Sequence, residues 1–195
     1  MAGWASTASL YSPRGERKYI NAAERVRFIA ASKACLRPEI GALCLTLAYT
    51  GCRISEALAL TPASINAESG FIAIRSLKKR NCAVIIREVP VPADLLNALE
   101  CGVFAAKAPG ERLWPLSRSR AWQLIKIVMA QAGIAPGPHA APKGLRHGYG
   151  IHALRSKIPI TLVKRWLGHA RLSTTEIYLQ VMGDDEREIA SRMWL

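Results

Sequence analysis

The chain has 195 residues, half of them hydrophobic and 21% charged, which suits one domain, or one domain with a short appendage, that buries its own core. Its 27 Lys and Arg against 14 Asp and Glu give a formal net charge of +13, which points to a polyanionic partner, nucleic acid first and an anionic membrane surface second. No run approaches the roughly 18 continuous apolar residues of a membrane-spanning helix, and the N-terminus lacks a signal peptide's charged start and apolar block, so a soluble intracellular protein is expected, cytoplasmic and nucleoid-associated, with no membrane partner. The five cysteines (Cys35, Cys44, Cys52, Cys82, Cys101) are odd in number and show no CxxC spacing. They indicate neither a disulfide framework nor a zinc site and are expected to be reduced core thiols.

Residues 1–20 mix Ser, Thr, Gly, Pro and basic side chains with little periodicity and read as a flexible basic arm. Asn21 and Glu24 have capping-box spacing and predict a helix to about Ala34. Pro38 opens a second, apolar helix that Gly51 breaks, and RISEALAL makes a short third one before Thr61-Pro62. The β-branched segments FIAIRSL and CAVIIREVPVP, around the polar SLKKRN, predict an antiparallel hairpin. Helical patterning returns in LLNALECGVFAA and in SRAWQLIKIVMAQAG, which Gly133 caps. Further helices are predicted near Lys143–Leu154, Pro159–Leu167 and Ser173–Gln180, with a last amphipathic piece from Asp184 to Trp194.

The charge is unevenly placed. Between Glu111 and Glu176 there is no acidic residue, while eleven Lys or Arg fall from Arg112 to Arg171. An ordinary solvated surface mixes signs, so this interval reads as a phosphate-binding face. Two helix starts carry basic residues where the helix dipole disfavours them: Arg53 before RISEALAL, and Lys143 with Arg146 in the first turn after Pro142. A cation there gains its purpose when a phosphate binds the same helix end. Lys143 and Arg146, three residues apart, share a helix face and with Arg53 could converge on one phosphate. The plainer alternative points these long side chains into solvent.

TGCRISEALAL, KGLRHGYGIHAL and LGHARLSTTEIY, in that order, resemble the three signature segments of the tyrosine recombinase (phage integrase) catalytic domain. With the intervening hairpin they span about residues 20 to 182. The resemblance implies a mainly α fold with a small antiparallel β-sheet (α+β), organised as a basic arm over 1–20, a catalytic domain over 21–182 and an amphipathic tail over 183–195. It implies that Arg53 and Arg146 are the two catalytic arginines, His169 the later histidine position and Tyr178 the nucleophile. The hairpin lysine falls at Lys78, with adjacent Lys79 as the competitor. Lys143 departs from the histidine most relatives carry three residues before the second arginine, which removes any role there that needs an imidazole.

The implied chemistry is attack of Tyr178 on a DNA phosphate, giving a 3′-phosphotyrosyl bond and a free 5′-hydroxyl, so that religation needs no ATP. Arg53 and Arg146 would hold the growing charge on the phosphate oxygens, and Lys78 would protonate the departing 5′-oxygen. His169, and with it Lys143, would bind the phosphate or help take the tyrosine proton. No cofactor or metal is called for. The implied partner is double-stranded DNA, bound as a homotetramer on synapsed sites. In size the chain is similar to the small fimbrial phase-switch invertases, with no N-terminal clamp domain expected, which leaves room for an accessory DNA-binding protein. The tail ending in Met193, Trp194 and Leu195 would dock either on a neighbouring protomer or on its own domain.

Taken singly, each site residue has another reading: Tyr178 as a packed aromatic, His169 as a helix cap, Arg53 in an i, i+3 ion pair with Glu56, and His147 and His152 as packing residues. Glu56 is expected to orient Arg53. Two rival functions share many of the features, a non-catalytic helix-turn-helix regulator read from TLVKRWLGHARLSTTEIY and a type IB topoisomerase-like DNA relaxation.

Overall fold

The computed structural model describes residues 9–77, 85–101, 107–181 and 190. Its first helix, α1 (Ala22–Lys33), starts on the expected capping box: the Asn21 side chain accepts from the Glu24 amide at 2.8 Å, and the Glu24 carboxylate accepts from the Asn21 amide at 3.0 Å. Two of the orphan donors of the first turn are thereby satisfied. Pro38 is the first residue of α2 (Pro38–Thr50), and Gly51 ends it in the left-handed region at φ +61°. Glycine is needed there twice over, because a Cβ would also sit 2.6 Å from the Tyr149 ring. Buried from Ile40 to Ala48 and apolar there except at Thr46, α2 is the centre around which the main core forms.

The hairpin forms between β2 (Phe71–Arg75) and β3 (Ile86–Pro90), antiparallel, with Ile72 opposite Val89 and Ile74 opposite Arg87. A two-residue strand, β1 (Ile65–Asn66), adds an edge that the sequence reading did not contain. On the other side of α2, α3 (Ile54–Ala57) is shorter than the RISEALAL pattern suggested, and a 3₁₀ turn follows at Pro62–Ser64. The remaining helices are α4 (Ala93–Leu99), α5 (Arg118–Gln131), α6 (Pro142–Arg155), α7 (Ile160–Leu167) and α8 (Ser173–Glu176), which runs into a 3₁₀ segment at Ile177–Val181. The mainly α fold with a small antiparallel sheet is thus as expected. A second apolar cluster lies between α6, α7 and the 3₁₀ segment and contains Tyr149, Val163, Leu167, Ile177 and Tyr178.

The arm is a correction. From Ser9 to Ile20 the chain is folded onto the domain. Tyr11 bridges Arg17, the Lys18 amide donates to Leu10 O at 2.8 Å, and Gly15 makes the turn at φ +78°. Leu10 is fully buried in the second cluster, a placement that contributes about 1.5–3 kcal/mol. Arg17 forms a bidentate ion pair with Glu24, and the Ile20 amide donates to Gly144 O at 3.1 Å. Low periodicity concealed this because the strap is held by a few scattered apolar contacts, chiefly Leu10 and Ile20 with half-buried Tyr19, together with backbone hydrogen bonds and the Arg17–Glu24 ion pair. Cysteine placement is corrected as well: Cys44 and Cys52 are buried, whereas Cys35 is half-buried and Cys101 exposed. Cys82, the Lys78–Lys79 turn and the tail, Ala190 apart, lie outside the described residues.

Candidate active site

The site is organised around the C-terminal end of α7. A helix leaves its last four carbonyls without intrahelical donors, and all four are met here. Lys164 O accepts from the His169 amide at 3.1 Å and Arg165 O from the Gly168 amide at 3.0 Å. Trp166 O accepts from Arg87 Nε at 2.7 Å, and Leu167 O from Arg146 Nη2 at 2.6 Å. Two guanidinium cations thus sit on the negative end of the helix dipole, the favourable arrangement. Gly168, at φ +65°, turns the chain so that His169 follows directly, and a Cβ there would lie 3.0 Å from Arg87 Nη1.

Arg146 also donates to Gly51 O at 2.8 Å, so one side chain joins α6, the α2–α3 turn and α7. It is only 7% exposed. Burial first, and then repulsion by Arg53, lowers its pKa to about 10, which still leaves it charged at neutral pH. The expectation that Arg146 occupies the first helical turn is corrected: counted from Pro142 it is the fifth residue of α6, held inward by two carbonyls. Lys143 does lie in the first turn, but exposed, so the two do not present themselves equally.

Arg53 immediately precedes α3. Its Nη1 donates to Glu56 Oε1 at 2.8 Å and its amide to Glu56 Oε2 at 2.9 Å. The same Oε2 accepts from Arg87 Nη2 at 2.7 Å. Burial alone would raise the Glu56 pKa, but the charge and hydrogen bond of Arg87, with those of Arg53, outweigh it and hold the carboxyl below its usual range. Glu56 therefore orients Arg53, as the sequence suggested. Arg87 is the partner that sequence reasoning missed. The available signal was the strand alternation, since Arg87 shares the inward face of β3 with Val89.

Tyr178 is the second residue of the 3₁₀ segment and is 1% exposed. Burial raises its pKa to about 12 against the pull of Arg146 and Arg53, so the hydroxyl keeps its proton at rest. The His169 ring stacks on it, centroids 6.3 Å apart at 28°, while His169 Nδ1 lies 2.9 Å from Thr175 Oγ1. Burial, then Arg146 and Arg53, lowers the His169 pKa to about 3, leaving a neutral ring. His147 Nδ1 lies 3.3 Å from Tyr178 Oη, a contact the sequence reading had left to packing. Four of the predicted residues, Arg53, Arg146, His169 and Tyr178, are thus close enough for both arginines to act on the other two. Among the described residues no group of three or more His, Cys, Asp or Glu side chains is placed to hold a metal, and no helix is long and apolar enough to cross a membrane.

Residues 18–184 match the phage integrase family. The chain belongs to that family. It is 32% identical over 157 residues to the tyrosine recombinase XerA of Pyrococcus furiosus, an alignment covering 76% of this chain and 52% of the relative. The integrase-family chain therefore spans about half the length of the relatives it matches. Its fold is similar to that of a crystallised XerA recombinase (TM-score 0.74, 25% identity, 90% of this chain and 64% of the other). A XerH site-specific recombinase, solved bound to its difH substrate before cleavage, is similar in fold (TM-score 0.69, 20% identity, 95% and 60% covered).

Proposed function

We propose that this integrase-family chain cleaves and rejoins double-stranded DNA at specific sites through a 3′-phosphotyrosyl intermediate. The observation that carries the reading is that Arg53 and Arg146 lie near enough to the buried Tyr178 for both charges to bear on its hydroxyl. The fork of Arg146 is fixed by two backbone carbonyls and that of Arg53 by Glu56. Such pre-aimed cations stabilise the charge that grows on the non-bridging phosphate oxygens without reorganising at the moment of reaction. A pure DNA-binding regulator has no use for an arginine buried on two backbone carbonyls beside a buried tyrosine; its cations would face the duplex.

In this scheme Tyr178 Oη attacks phosphorus, the P–O5′ bond breaks, and the 5′-oxygen takes a proton from the hairpin lysine, Lys78 or its neighbour Lys79. His169, neutral and braced by Thr175, hydrogen-bonds a phosphate oxygen, and exposed Lys143 adds charge at the rim. The arginines supply the charge neutralisation for which other phosphoryl-transfer sites use a metal ion. DNA as the partner is supported by the charge of +13 and by the substrate-bound XerH relative. Strand exchange between two sites would assemble four protomers, with the 183–195 tail exchanged between them and an accessory DNA-binding protein completing the grip.

Covalent trapping tests this. Nicked duplexes tiled across the DNA flanking the chain's own gene are incubated with protein in EDTA. The wild type is expected to give a denaturant-resistant adduct, and Tyr178→Phe, equally folded and equally able to bind DNA, none. An adduct that persists in Tyr178→Phe, or one that needs a divalent metal, overturns the reading.

A further inference from the structure

The scheme leaves the tyrosine proton without a destination, and a hydroxyl held near pKa 12 is a poor nucleophile until that proton is taken. Three side chains compete for the task. The ring of His169 stacks at 28° with its centroid 6.3 Å from that of Tyr178, and its Nδ1 is engaged by Thr175 at 2.9 Å. Lys143 is exposed, and an ammonium offers three donors and no lone pair. His147 meets Tyr178 at 66°, edge to face, and turns Nδ1 toward Oη at 3.3 Å.

We propose that His147 is the base that takes the Tyr178 proton during DNA cleavage and returns it during religation. This rests on the reading of the chain as a phosphotyrosine-forming recombinase. The Tyr178 O–H bond breaks as Oη bonds to phosphorus; the proton passes to His147 Nδ1, and the 5′-oxygen leaves with a proton from the hairpin lysine. Each step reverses when the 5′-hydroxyl attacks the phosphotyrosine. A separation of 3.3 Å is long for a working hydrogen bond, and catalytic contacts of this kind tighten when substrate arrives.

The surroundings couple this base to its substrate. Among the described residues, the charged and titratable groups around His147 are Lys143 and Arg146 on its own helix, Lys18 on the N-terminal strap, His169 beyond α7 and Tyr178 itself, with no carboxylate among them. Burial and then the three cations lower the imidazole pKa to about 4, so the ring is neutral at rest and has a lone pair to offer. A phosphate seated on Arg53 and Arg146 brings negative charge into this cationic pocket. That raises the proton affinity of His147, so the base strengthens as the DNA to be cut is bound.

His147→Gln is expected to slow adduct formation on a cleavable nicked duplex by about 10²- to 10⁴-fold at neutral pH while DNA affinity stays at the wild-type level. The deficit should narrow as pH rises and hydroxide replaces the imidazole. An active wild type matched in rate and pH profile by His147→Gln overturns this proposal alone, whereas a wild type that forms no adduct on any DNA overturns the recombinase reading and this proposal with it. A second measurement needs no variant. Nitrogen NMR of the wild-type histidines should place the His147 proton on Nε2, which is buried without a partner among the described residues, and leave Nδ1 to accept. A proton on Nδ1 would make His147 a donor to Tyr178 and overturn the proposal.

Discussion

Around Arg53, Glu56, Arg87 and Arg146 the contacts are short, from 2.6 Å at Leu167 O to 2.9 Å at the Arg53 amide, and several end on backbone carbonyls that cannot move without a helix moving. Around Tyr178 they are looser: one polar contact at 3.3 Å, an edge-to-face ring and a stacked one, on a 3₁₀ segment of five residues. The difference suits the proposed chemistry. Groups that stabilise a transition state by position must already be in place, whereas a nucleophile that forms and breaks a bond to DNA has to travel.

The largest effect on stability is expected where the rigid part depends on a single buried carboxylate. Glu56→Gln leaves Arg87 buried without a counter-ion and should cost about 3–5 kcal/mol in urea unfolding, with Arg53 losing its brace. A cost below about 1 kcal/mol, in the range of an exposed pair, would show that the frame is held by its carbonyl contacts alone. Next comes the looser part. At Gly150 an added Cβ would clash with Tyr178 Cε2, and Gly150→Ala should cost about 1–3 kcal/mol while slowing adduct formation by displacing the proposed nucleophile. A stability loss equal to that of Glu56→Gln would erase the contrast between the two parts.

The smallest effect is in pH dependence. The His147 pKa is lowered from 6.5 to about 4 and that of His169 to about 3. Unfolding therefore takes up protons as pH falls from 6.5 toward 4, and stability declines in that window and is retained above it. Glu56 acts in the same sense only as pH falls below its unfolded value of 4.5. His147→Gln should remove about one proton from the uptake measured at pH 5 as the slope of unfolding free energy against pH. An unchanged slope would mean that the His147 ring titrates as it does in water.

Much of the fold and site was legible because capping and signature spacing are local. Asn21 with Glu24, Pro38, Gly51 and the β2–β3 hairpin all formed where their own neighbours predicted. Arg53 with Glu56 was readable as an i, i+3 pair for the same reason. What escaped depends on partners distant along the chain. Arg87 matters through Trp166 and Glu56, which lie 79 and 31 residues away, and His147 matters only once the Tyr178 segment packs against α6. The strap at 9–20 was hidden differently: its composition is that of a loop, and a few scattered apolar contacts and one ion pair leave almost no periodic signal.

That strap makes the N-terminal end a mechanical input. Leu10 belongs to the same apolar cluster as Tyr178, Ile20 is stapled to Gly144, and Gly148 has no Cβ because Ile20 O would lie 2.6 Å from it. Loosening the strap would therefore disturb the Tyr178 cluster through Leu10 and α6 through Ile20 at the same time.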